Sequence, residues 1–91
     1  MFSFTNNNTG LGSDALFFNT TGAQNTAVGR SVLKANTTGV EITAMGFQSG
    51  FANTTGSGNT SYGTYSLQTN TTGSSNTAIG RTALYLGSGG S

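Results

Sequence analysis

The chain contains no cysteine and no histidine, and only five of its 91 residues are charged. Without cysteine there is no disulfide framework and no thiol nucleophile. Without histidine there is no imidazole base, and the usual zinc ligand sets cannot be assembled. Lys34, Arg30 and Arg81 stand against Asp14 and Glu41, a formal +1. Three cations are too few for a groove that neutralises nucleic-acid phosphates, and too few for a polybasic membrane patch. No apolar run approaches the length of a membrane span, and the amino terminus lacks the pattern of a signal peptide. Large aliphatics are also scarce: Leu, Ile, Val and Phe together number 17 of 91, near the level of disordered chains.

Small residues are abundant: 17 Thr, 15 Gly, 11 Ser and 10 Asn. Their order is strict. Asn-Thr-Thr-Gly recurs at 19–22, 36–39, 53–56 and 70–73, a step of 17 each time. NTGLG at 8–12, NTAVG at 25–29, ITAMG at 42–46, NTSYG at 59–63 and NTAIG at 76–80 keep the same step. Residues 2–86 thus read as one segment of five 17-residue units, with residues 87–91, GSGGS, as an engineered flexible linker.

Identical residues at a fixed step are expected where each repeat stacks on the one before. Thr9, Thr26, Thr43, Thr60 and Thr77 form one column, and Gly12, Gly29, Gly46, Gly63 and Gly80 another. These read as structural ladders. Leu11, Val28, Met45, Tyr62 and Ile79 form an apolar column. Leu16, Leu33, Leu67 and Leu84 form a second, broken at Gly50. The units are rich in residues that disfavour helix interiors and lack an i, i+3, i+4 stripe. The expected fold is all-β: a parallel β-solenoid, or β-roll, of five 17-residue coils. Each coil is expected to hold two strands and two turns, with the NTTG glycine free to take a positive φ. A coil this narrow cannot bury two apolar columns, so one column is expected to fill the interior and the other to meet a partner. The pattern leaves open which does which. Self-association into a cyclic homo-oligomer follows as the expected partner state.

NTAVG, NTSYG and NTAIG, each followed by a small residue and Leu, resemble the repeats of trimeric autotransporter adhesin heads. The fuller unit N-T-T-G-x-x-N-T-A-φ-G-x-x-A-L resembles repeats of phage tail-fibre and related fibrous surface proteins. The resemblance covers residues 8–86 well and 2–7 poorly, where Phe2, Ser3, Phe4 and Thr5 replace NTTG. The adhesin units are shorter than 17 residues. The resemblance implies a left-handed roll, a homotrimer, and an extracellular place on a virion or cell surface.

Several functional readings can be weighed on residue chemistry alone. Asp14 and Glu41 occupy different positions of the unit, and no base is present to activate a Ser or Thr. The expectation is a non-enzymatic chain with no catalytic residue, no cofactor and no metal site. The threonine column reads as an internal hydrogen-bonded ladder, because Thr26 and Val28 share a strand face and the apolar column is expected to point inward. An ice- or crystal-binding threonine face is the alternative. Asn7, Asn19, Asn36, Asn53, Asn59 and Asn70 each begin an N-x-[ST] sequon, and their recurrence reads as an Asn ladder at turns. Phe17, Phe18, Phe47, Phe51, Tyr65 and Tyr85 break columns that are otherwise small or polar, and are candidates for binding a host-surface glycan or receptor. The leading expectation is a structural head or shaft segment of a homotrimeric surface fibre. A lateral glycan- or receptor-binding module and a self-assembling solenoid filament are the alternatives.

Overall fold

The computed structural model describes residues 2–3 and 5–85, with side-chain surroundings from residue 6 onward. Leu86 and the Gly/Ser tail lie outside the described residues. The fold is an all-β solenoid. Its strands are β1 (Phe2–Ser3), β2 (Thr9–Leu11), β3 (Thr26–Val28), β4 (Thr43–Met45), β5 (Thr60–Tyr62) and β6 (Thr77–Ile79). They form one sheet in sequence order. β2 to β6 are parallel and in register at a step of 17: Thr26 lies beside Thr43, Ala27 beside Ala44 and Val28 beside Met45.

Phe2 and Ser3, where the repeat pattern fails, pair differently. β1 runs antiparallel to β2, with Phe2 opposite Gly10 and Ser3 opposite Thr9. The departure from the repeat therefore covers the amino-terminal strand edge, a common remedy for an exposed ladder.

One expectation needs correcting: each coil carries one strand, not two. The opposite wall, residues 13–19 and their counterparts, is a succession of turns. Asp14 and Leu16 have φ of 64° and 55°, and Ser31 and Leu33 repeat this at 59° and 52°. Amide groups along this wall alternate in direction. Leu16 N–H donates to Val32 O of the next coil at 3.1 Å, whereas Phe17 N–H donates to Asp14 O of its own at 3.3 Å. Phe18 and Asn19 repeat the alternation. The physical cause is the order of side chains. Ala15–Leu16 and Val32–Leu33 are adjacent residues that are both buried. A strand sends neighbours to opposite faces, so it cannot bury both inside. Left-handed residues turn the chain so that both point inward.

The interior is narrow, and that decides which apolar column fills it. Leu16, Leu33 and Leu67 project in from the turn wall and are buried, joined by Val32 and Ile42. From the strand wall only the middle residue faces them: Ala27, Ala44, Ser61 and Ala78, all buried. A Leu on one side leaves room for little more than a Cβ on the other. Thr26 and Val28, flanking Ala27, therefore both point out. At Gly50 the leucine column is interrupted, and Leu33 leans into the gap. The Ser49 hydroxyl bonds there to those of Ser61 and Ser66, at 2.6 and 3.0 Å.

The NTTG turn also differs from expectation. Its glycine is not among the positive-φ residues; that conformation falls two positions later, on Gln24, Glu41, Gly58 and Ser75. Close approach explains the glycine instead. A Cβ on Gly39 would lie 2.3 Å from Gly56 O and 2.5 Å from Asn36 Oδ1. The turn is held to the next coil by three amides converging on one carbonyl. Thr20, Thr21 and Gly22 N–H all donate to Thr37 O, at 3.0 to 3.1 Å. In the strand-ending column, Gly46 has φ +118° and sits where a Cβ would be 2.7 Å from the Gly63 carbonyl carbon. Gly12, Gly46 and Gly63 are required twice over, by conformation and by contact, and Gly80 by conformation alone.

Candidate functional site

Three features of the coil carry chemistry: an outer strand face, an aromatic ridge and an inner asparagine ladder. The strand face comes from the Thr-Ala-φ triplets. Thr26, Thr43, Thr60 and Thr77 are exposed and Thr9 is half-buried. The threonine column thus lies outside the coil, correcting the expectation of an internal ladder, although its backbone register is that of a stack. Beside it run Leu11, Val28, Met45, Tyr62 and Ile79. Val28 is half-buried, Tyr62 is 55% exposed and Ile79 68%. This apolar column does not fill the interior. The apolar residue changes from Val to Met to Tyr along the column, so side-chain size is uneven from one level to the next. A template for a crystalline surface needs a flat face.

The aromatic residues are brought together only in part. Phe47, Tyr65 and Tyr85 follow one another along the axis, with ring centroids 5.5 and 6.0 Å apart and planes inclined at 65° and 70°. The Arg30 guanidinium lies 5.7 Å from the Phe47 centroid. These rings pack edge to face on one another, so much of their surface is engaged within the ridge. Phe51 is half-buried. Phe17 and Phe18 form a separate, more exposed pair, 4.7 Å apart and nearly perpendicular. Lys34 Nζ lies 5.8 Å from the Phe17 centroid and 3.5 Å from Asp14 Oδ2. That ion pair is solvent-exposed and contributes roughly 0.2–1 kcal/mol at most. Glu41 lies in a different coil position from Asp14. Among the described residues no group of three His, Cys, Asp or Glu is placed to hold a metal ion.

The asparagine ladder is the feature that residue-by-residue reading undervalued. Asn8, Asn25, Asn59 and Asn76 form one buried column, and Asn19, Asn36, Asn53 and Asn70 a second, of which all but Asn19 are buried. In the first column the side chain clamps the next coil at two points. Asn25 Oδ1 accepts from Ile42 N–H at 2.9 Å, while its Nδ2 donates to Gly39 O at 2.9 Å. Asn8 and Asn59 do the same one coil below and two coils above, Ile42 standing in the coil between. In the second column the side chains bond to one another. Asn36 Nδ2 donates to Asn19 Oδ1 and Asn53 Nδ2 to Asn36 Oδ1, both at 2.9 Å. Each also closes its own turn by donating to the glycine carbonyl three residues on. The sequons at Asn36, Asn53, Asn59 and Asn70 therefore fall on buried side chains. The signal was present in the sequence, since Asn departs from the first column only at Ile42.

No family model, no curated protein and no solved structure matches this chain.

Proposed function

We propose that the chain is a non-enzymatic structural segment of a surface fibre, in which three copies associate side by side through the outer strand face. One observation carries this reading. The column Leu11, Val28, Met45, Tyr62 and Ile79 runs the length of the sheet on the outside, next to threonine rather than charge. A continuous apolar stripe on the outside of a protein marks an interaction surface. Identical residues at each level suit a rotation axis parallel to the coil, since each rung then meets its own copies. Every coil is bonded to the next through backbone, turn and asparagine side chains, which favours a stiff rod. The fibre would stand on a virion or cell surface, its few charges and many hydroxyl and amide groups forming a hydrated exterior. The homotrimer also follows the resemblance to adhesin heads and tail fibres.

Light scattering on the purified protein tests this. The expected mass is three times the 9.2 kDa of one chain. The triple substitution Met45→Thr, Tyr62→Thr and Ile79→Thr is expected to reduce it to a monomer that keeps its β circular dichroism. A wild-type monomer at high concentration would overturn the reading.

A further inference from the structure

The leucine column breaks once, at Gly50, and three further positions change around the break. Ser49 and Ser66 stand where other coils have Ala15, Val32 and Ala83, and Ser61 stands between Ala44 and Ala78 in the strand-wall column. Gly50 keeps the backbone of the leucines, with φ 61° against 51–55° for Leu16, Leu33, Leu67 and Leu84. Only the side chain is missing. A cavity lies at this level, lined by Leu33, Ile42, Gly50, Asn53, Ser61 and Leu67 among others, all of them buried. The room it leaves for the centre of a water molecule is about 10 Å³, close to the least that one water needs.

The serine hydroxyls have one proton each, and that fixes their directions. Ser66 Oγ donates to Gly63 O at 2.8 Å, because a carbonyl only accepts. Its 3.0 Å bond to Ser49 is therefore one it accepts, which uses the Ser49 proton. The 2.6 Å bond between Ser49 and Ser61 is then donated by Ser61. At the end of this chain Ser61 Oγ gives its proton away and accepts from none of the three groups, although Ser61 is only 2% exposed. It faces the gap, 3.8 Å from the place a Cβ on Gly50 would take. A second acceptor on the cavity wall is also poorly served. Asn19 Oδ1 and Asn36 Oδ1 each accept from the next asparagine at 2.9 Å. Asn53 Oδ1 has its donors, Asn70 Nδ2 and Asn59 Nδ2, only at 3.4 and 3.5 Å. The ladder slackens at the level where the leucine is missing.

We propose that the cavity beside Gly50 is a binding site for a single water molecule, which donates one proton to Ser61 Oγ and the other to Asn53 Oδ1. Two polar partners are enough to hold a buried water, whereas cavities that stay dry are walled by apolar groups alone. The bound water ties the strand wall to the asparagine ladder in place of the absent leucine. It sits inside the coil, so it is independent of any association through the outer face.

The test is water-to-protein cross-relaxation in the isotopically labelled chain. The methyl groups of Leu33 and Leu67 are expected to show the cross-peaks of a long-held water. Serine hydroxyls that exchange with solvent give a similar signal, and Gly50→Ala separates the two: it fills the space and leaves all three serines. A Cβ there meets only the flexible end of Leu33, 2.9 Å away at Cδ2, and leucines elsewhere in the column hold the same φ. Gly50→Ala is expected to abolish the cross-peaks. Ser61→Ala, which matches Ala44 and Ala78 in its column and folds for that reason, is expected to abolish them by removing one partner. The proposal is overturned if the wild-type chain shows no such cross-peaks, or if they persist in either variant. Saturable shifts of the Leu33 and Leu67 methyl signals of the wild-type chain under xenon would show a dry cavity and overturn it as well.

Discussion

Asn25→Ala is expected to destabilise the fold by about 2–4 kcal/mol, measured by urea denaturation. The substitution removes two hydrogen bonds at the centre of the stack. Their loss is unequal. Gly39 O keeps a second donor, Asn36 Nδ2 at 3.2 Å, but Ile42 N–H is left in a buried site with nothing to bond. An orphaned buried amide costs roughly 1–3 kcal/mol beyond the small net value of the bond itself. Set against a total of about 5–15 kcal/mol for a domain, that is a large fraction. Asn25→Asp separates the two halves of the clamp. It keeps the acceptor for Ile42 N–H and puts an oxygen where Gly39 O needs a donor. Burial raises the pKa of such a carboxyl above its unfolded value. The folded state then holds its proton over a range where the unfolded state has lost it. Stability of Asn25→Asp is therefore greatest in acid and falls as pH rises through the folded-state pKa, whereas Asn25→Ala has no such dependence.

Leu33→Ala is expected to cost about 3–5 kcal/mol, the upper part of the range for deleting a buried leucine. Leu33 is 1% exposed and belongs to the central cluster with Leu16, Val32, Ile42 and Ala44. It also leans into the space beside Gly50, where a Cβ would come within 2.9 Å of its Cδ2. Its removal would enlarge an existing void that the rigid backbone ladders on either side cannot close. Leu84 is its counterpart three coils on, in the same column and with nearly the same φ, 53°. It is 49% exposed, so Leu84→Ala is expected to cost below about 1 kcal/mol. Thermal denaturation of the two variants checks the contrast. Equal losses would mean that the column is not an interior one.

The register of this fold was legible because it depends on a count. Residues that recur every 17 positions sit over one another, and Thr26, Thr43 and Thr60 do. Direction was harder. Val28 and Leu33 are both apolar, both recur, and either column satisfies the pattern. What decides between them is the width of the cavity, a property of two walls together. Ala27 offered a hint, since a strand buries either its middle residue or its two flanks, and the middle residue stays small at every level. The second wall misled for a related reason. Val32–Leu33 looks like a short strand in isolation, and only the need to bury two neighbours at once reveals the turns. The asparagines were read as turn formers, which they are. Their second role is set by the next coil, whose Ile42 N–H and Gly39 O they hold, and neighbouring residues in sequence carry no trace of it.

The central claim is that coils are joined by hydrogen bonds between residues about 17 apart. A through-hydrogen-bond NMR coupling measures this directly. Thr26 N–H donates to Ile42 O at 2.8 Å and Gly29 N–H to Leu11 O at 2.7 Å. Couplings from Thr26 nitrogen to the Ile42 carbonyl carbon, and from Gly29 nitrogen to that of Leu11, are the predicted result. Couplings from Thr26 to Gly22, the helical partner, or no coupling for amides protected from exchange, would contradict the account.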